Sequence, residues 1–121
     1  MEPLADTRHS DKEGTTIHLL ARVKEKALVV SFTGKHFSGF EVHKIKVQKE
    51  GTYKIGKQVV HHTEKECYRT AAEFGFYAWH YPNIELALID HPEFKPFSTL
   101  LKGKLQRLLH ESLGLNDNLS E

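Results

Sequence analysis

The chain has 121 residues, 39% hydrophobic and 27% charged, with a formal net charge of +1. That length suits one domain able to bury a core unaided. No apolar run reaches the roughly 18 to 20 residues that a bilayer span needs, and the opening MEPLADTRHSDKEG lacks an apolar signal segment. The single cysteine, Cys67, excludes an internal disulfide, so an intracellular, cytoplasmic setting is expected.

Residues 1 to 13 offer little to bury and read as a disordered tail. Residues 14 to 115 read as a single α+β domain, and residues 116 to 121 as a frayed tail. From Thr15 the apolar period is two: in TIHLLARVK, Ile17, Leu19, Ala21 and Val23 alternate with His18, Leu20, Arg22 and Lys24. A tight turn at Glu25 and Lys26 leads to KALVVSFTG, with Leu28, Val30 and Phe32 on one face. GFEVHKIKVQ reads as a third strand whose phase slips between Val42 and Ile45, which predicts a bulge near His43 and Lys44. The turn KEG precedes TYKIGKQVV, a fourth strand interrupted at Gly56. Short strands on short turns predict an antiparallel meander.

After Val60 the period becomes helical. Thr63-Glu64-Lys65-Glu66 has the form of a capping box. At 100° per residue, Cys67, Tyr68, Ala71, Phe74, Gly75, Ala78 and Trp79 share one face. This predicts a helix from Thr63 to about Tyr81, ended by Pro82. NIELALID fits either a short helix or an apolar strand. STLLKGKLQRLLHESL predicts a last helix with Leu101, Leu105, Leu108 and Leu109 inward, Gly114 as its left-handed cap and Leu115 closing over it. The expected architecture is a four-stranded antiparallel sheet followed by two main C-terminal helices packed on one face. Ile17, Leu19, Val30, Phe32, Ile45 and Val47 would meet Phe74, Trp79, Leu101, Leu105 and Leu108 there.

No catalytic, metal or cofactor motif is found. His61 and His62 are adjacent, so at a strand end they point to opposite faces. There is no CxxC, HExxH, GxSxG or phosphate-binding glycine loop. Cys67, on the apolar face of the predicted helix, reads as a buried, inert core residue.

Charge is the better lead. Residues 14 to 62 carry nine Lys or Arg against three acids, whereas residues 63 to 121 carry six against nine. A basic half asks for an anionic partner. Lys44, Lys46, Lys54 and Lys57 fall along the third and fourth strands, with Tyr53, Phe37, Phe40 and His43 among them. Aromatic rings beside lysines suit unpaired bases and their phosphates. This predicts a non-enzymatic protein binding single-stranded DNA, or RNA, on a basic sheet face. Lysines also keep exposed sheets from aggregating, which leaves a second reading open. That reading is a protein-binding accessory module, such as an inhibitor, immunity or mobile-element factor, with Phe76 and Tyr77 as its contacts.

The run FEVHKIKVQKEGTYKIGKQVVHHTEKE resembles the core of the positive cofactor 4 family of single-stranded-DNA-binding proteins, which includes small bacterial and phage members. Gly51, Lys54, Gly56 and Lys57 match that family's G-x-x-K-x-G-[KR] stretch. Thr63 to Glu66 match its helix start, and His43 and Lys44 stand where it has a basic residue in the third strand. Gln58 and Val59 depart from the family's basic residue and glycine, and residues 82 to 121 have no counterpart. The resemblance implies a curved sheet that holds a strand by phosphate contacts and stacking, in a homodimer built through the helix.

Overall fold

The computed structural model describes residues 1 to 113. The fold is α+β, built on a five-stranded antiparallel sheet of order β1-β2-β3-β4-β9. Its strands are β1 (Thr7–Ser10), β2 (Thr15–Val23), β3 (Lys26–Thr33), β4 (His36–Lys44) and β9 (Ala78–Tyr81). Between β4 and β9 the chain leaves the sheet. There β5 (Lys46–Gln48) pairs with β8 (Lys65–Cys67), and β6 (Gly51–Ile55) pairs with β7 (Gln58–His62). Helix α1 (Ile84–Asp90), a 3-10 segment (Pro92–Phe97) and helix α2 (Ser98–Leu113) complete the chain.

The strands predicted over residues 15 to 33 form, but two bulges reset their faces. Leu19 pairs with Val29 and Ala21 with Leu28, so Leu20 is extra. Ser31 pairs with Gly39 and Phe32 with Phe37, so Ser38 is extra on the neighbouring strand. An inserted residue shifts the alternation of everything beyond it. Ile17 and Leu19 therefore lie on the face opposite Val30 and Phe32, with Ala27, Val29, Tyr68, Leu4 and Ile45. Leu20, Leu28, Val30, Phe32, Phe40 and Val42 form the other face, beneath Ala87, Phe94 and Leu101, with Trp79, Leu105 and Leu108 packed against them. The expected interface is thus divided between two cores, and Val47 belongs to neither, being exposed on β5. No bulge forms at His43 and Lys44. The slip in phase marks Ile45, where the chain quits the sheet and its N–H donates to the Glu25 carbonyl at 2.7 Å.

Three further expectations are corrected. The 63–81 segment is not a helix: it contains β8, one 3-10 turn (Ala71–Glu73) and β9. Thr63-Glu66 caps nothing, whereas Thr70 opens the short turn, its N–H and hydroxyl both donating to Glu73 at 3.1 Å. The N-terminal residues are held in place as well. Leu4 is buried, β1 pairs with β2, and the Glu2 N–H donates to Glu64 at 2.9 Å. Finally, TYKIGKQVV is not one strand but a hairpin, reversing at Gly56, whose φ of +62° suits a residue without Cβ. NIELALID resolves as helix α1, capped by the Asn83 side chain accepting from Leu86 at 3.0 Å. The last helix occupies the predicted stretch. Gly114, Leu115 and the expected tail at 116 to 121 lie outside the described residues.

Candidate functional site

Residues 46 to 67 form a two-stranded arm in two parts, with β5 and β8 at its base and β6 and β7 at its tip. The tip forms because Gly56 allows the reversal and the five residues on each side pair from Gly51↔His62 to Ile55↔Gln58. Beyond the base the residues around the reversal, 54 to 59, are exposed: Ile55 shows 61% of its surface and Val59 65%. Cross-strand pairing puts Lys54 beside Val59 and Thr52 beside His61, while Lys57 sits at the reversal. From residue 51 to 62 there are two lysines, two histidines and no acid. Tyr53 is in register with Val60.

Charged contacts fix the base to the sheet. Arg22 on β2 grips Glu66 on β8 with two parallel hydrogen bonds of 2.6 Å, and Glu66 also accepts from the Leu4 N–H at 3.1 Å. The Arg22 hydrogen bond and charge hold the Glu66 carboxyl below its ordinary range. Glu73 is held down to about 2, first by the Thr70 N–H and then by Arg69. Cys67, expected in the core, is half-buried at the end of β8, its thiol 3.7 Å from the Gln48 side-chain Oε1.

The predicted nucleic-acid residues divide accordingly. Lys54 and Lys57 are on the tip and Lys46 at the base, all exposed. Lys44 ends β4 on the body, its ammonium 5.7 Å from the Trp79 ring centre. β4 ends at Lys44 and Lys46 opens β5 in a separate sheet, so the two do not share a strand face. Phe40 is core and unavailable for stacking. His43 is fully buried, its ring edge-on to Tyr68 and Phe74. Phe37, 44% exposed, packs on Phe32 and Phe40. At about 3.3 Å per residue it lies some 20 Å along β4 from Lys44, too far to join the arm. Phe76 and Tyr77, at 73% and 48% exposure, follow the 3-10 turn, with the Arg69 guanidinium 4.6 Å over the Tyr77 ring.

Sequence reasoning missed a second feature, on the face away from the helices. Glu41 and His43, two apart on β4, point to the same side, and His43 Nε2 lies 2.8 Å from Glu41 Oε1. The Arg69 N–H donates to His43 Nδ1 at 2.9 Å, so the ring proton sits on Nε2 and is given to the carboxylate. His80, opposite Glu41 on β9, donates to the Ser38 carbonyl at 3.0 Å. Gly39 makes room for that ring: a Cβ there would come within 2.6 Å of it, and φ is +131°. The available signal was FEVHK itself, with polar residues at alternate positions of a strand whose other positions are core.

Among the described residues no helix is long and apolar enough to cross a membrane, and no three His, Cys, Asp or Glu converge as metal ligands. Comparison with protein-family models, curated proteins and solved structures finds no match.

Proposed function

We propose that the chain binds nucleic acid without catalysing a reaction, single-stranded DNA ahead of RNA, and that the arm is the contact element. The observation that carries this is the tip: residues 51 to 62 hold Lys54, Lys57, His61 and His62 and no acid, with Lys54, Lys57 and His61 exposed. A basic two-stranded ribbon can lie along a phosphate backbone. Exposed Ile55 and Val59 offer apolar surface to unstacked bases. The contact surface is narrower than the sheet face first expected, since Phe40 and His43 are buried and Phe37 is remote. The homodimer that the family resemblance implies would be built through a helix, and residues 63 to 81 hold no such helix.

The test is titration of an unstructured oligonucleotide at several salt concentrations. Each single-strand phosphate contact contributes a log–log slope of about −0.7. Lys54→Gln with Lys57→Gln is expected to weaken binding and flatten the slope by roughly 1.4. Tyr53→Ala is expected to cost about 1–3 kcal/mol with the slope unchanged. Lys102→Gln with Lys104→Gln, on α2, is the control and is expected to change neither. Absence of wild-type binding at low salt would sink this reading. The protein-partner reading would then stand, favoured by the adjacent exposed rings of Phe76 and Tyr77.

A further inference from the structure

The face of the sheet away from the helices carries a cavity of about 330 Å³ between β1, the sheet and the 3-10 turn at Ala71. Its floor is the strand row around Ser31 and Glu41, and its walls include Arg8, Phe74 and His80. Ser31 keeps 1% of its surface and Glu41 9%. Glu41 Oε1 is taken by His43, whereas among the described residues no group bonds Glu41 Oε2 or Ser31 Oγ. Both residues line the cavity. The register places them together: Val29 pairs with Glu41 and Ser31 with Gly39, making Ser31 and Glu41 diagonal neighbours on one face.

A carboxylate this far from water is costly unless a charge or hydrogen-bond donor meets it. His43 supplies one donor and is itself locked by the Arg69 N–H. The nearest cation of the lining, Arg8, is engaged elsewhere: it donates to the Arg69 carbonyl at 2.9 Å and lies 5.5 Å over the Tyr68 ring. Of the remaining charged lining groups, Glu13 adds a second negative charge at the rim. Arg8 keeps its positive charge in these contacts, so the lining, with Glu13 and Glu41 against Arg8, carries a formal charge of −1.

We propose that this cavity is a binding site for a small organic cation bearing a primary ammonium. The ammonium would donate to Glu41 Oε2 and Ser31 Oγ, with the Phe74 ring as an aromatic wall for the charge and its methylene neighbours. The cavity lies at the small end of ligand sites, which selects a short amine over a larger ligand. The site is separate from the arm and does not depend on nucleic-acid binding.

The experiment is an amide-resolved NMR titration of the full chain with putrescine, in parallel with 1,4-butanediol as its uncharged counterpart. Saturable shifts at Ser31, Glu41, Ala71 and Phe74 with the diamine, and none with the diol, are expected. Glu41→Gln keeps an acceptor for His43 but removes the charge, and is expected to weaken binding at least tenfold. Ser31→Ala leaves the Glu41–His43 pair intact and is expected to weaken it several-fold, which keeps the test decisive if Glu41→Gln fails to fold. No shifts, equal response to diol and diamine, shifts spread without saturation over exposed acids, or unchanged affinity in Ser31→Ala would each overturn the proposal.

Discussion

The two faces of the central sheet are covered by different kinds of chain, and their chemistry differs for that reason. Over one face lie α1, α2 and the 3-10 segment, whose backbone groups largely satisfy each other. That face is correspondingly apolar. The other face is covered by residues 2 to 6 and 68 to 77, mostly irregular chain with one 3-10 turn, in which the N–H groups of Leu4, Arg69 and Thr70 lie outside any helix. Side chains take up that work: His43 accepts from Arg69, Glu66 from Leu4 and Glu73 from Thr70. Buried backbone donors must be paired, so a face covered by irregular chain acquires polar side chains that a helix-covered face can do without.

The largest effect that would test this contrast is on the helical side. Phe94 is fully buried between the sheet and the helices, and Phe94→Ala is expected to cost about 3–5 kcal/mol in chemical denaturation. On the other face, His43→Leu strips a partner from both Glu41 and the Arg69 N–H. A loss of about 1.5–3 kcal/mol is expected. Adding Glu41→Leu to His43→Leu removes the stranded carboxylate and is expected to recover part of that loss. A double variant less stable than His43→Leu alone would contradict this account of the polar face.

The helical face has one polar corner, and it gives a pH signature. Lys26 donates to His91 Nδ1 at 3.0 Å, His91 Nε2 meets the Tyr81 hydroxyl at 2.9 Å, and Tyr81 donates to Asp90 at 3.0 Å. Burial, and then the Lys26 charge, push the imidazole below its ordinary 6.5, outweighing Glu93 and Asp90. The unfolded chain therefore binds the proton first as pH falls. Stability from this group is complete above 6.5 and is lost as pH drops through the lower folded value. His18, also lowered by burial, adds in the same direction. Melting curves between about pH 7 and pH 5 are expected to show a shallower decline in His91→Gln than in the wild type. An identical decline would mean that His91 is not held neutral. The smallest effect belongs to the arm: Lys54→Gln with Lys57→Gln is expected to shift stability by no more than about 0.5 kcal/mol, because those side chains are exposed.

Local periodicity carried the sequence reading where neighbouring strands are neighbours in the chain. Residues 15 to 33 alternate, turn within two residues and pair, and residues 98 to 113 show a helical stripe that forms as read. The 63–81 segment misled because Cys67, Tyr68, Ala71, Phe74 and Ala78 fit a helical arc as well as they fit two short strands and a turn. What decides between these is remote: Lys46 opposite Cys67 and His43 opposite Ala78. Gly75, at φ +90°, was the local clue against a continuous helix. For the candidate site, the arm lysines were legible from charge alone. The burial of Phe40 and His43 was not, because it depends on β9 and on the turn that covers β4.

The arm has a consequence for how the chain folds. To dock β9, the chain must bring Ala78 against His43, 35 positions away, and closing a loop costs entropy that grows with its length. The arm breaks that closure into cheaper steps. Gly51 meets His62 across a local reversal, and Lys46 can then meet Cys67 with most of the intervening chain already paired. Zipped in this order, the excursion delivers Ala78 to the sheet edge as the end of a short connector. The element that reaches furthest from the core would thus set the pace at which the core's last strand is added.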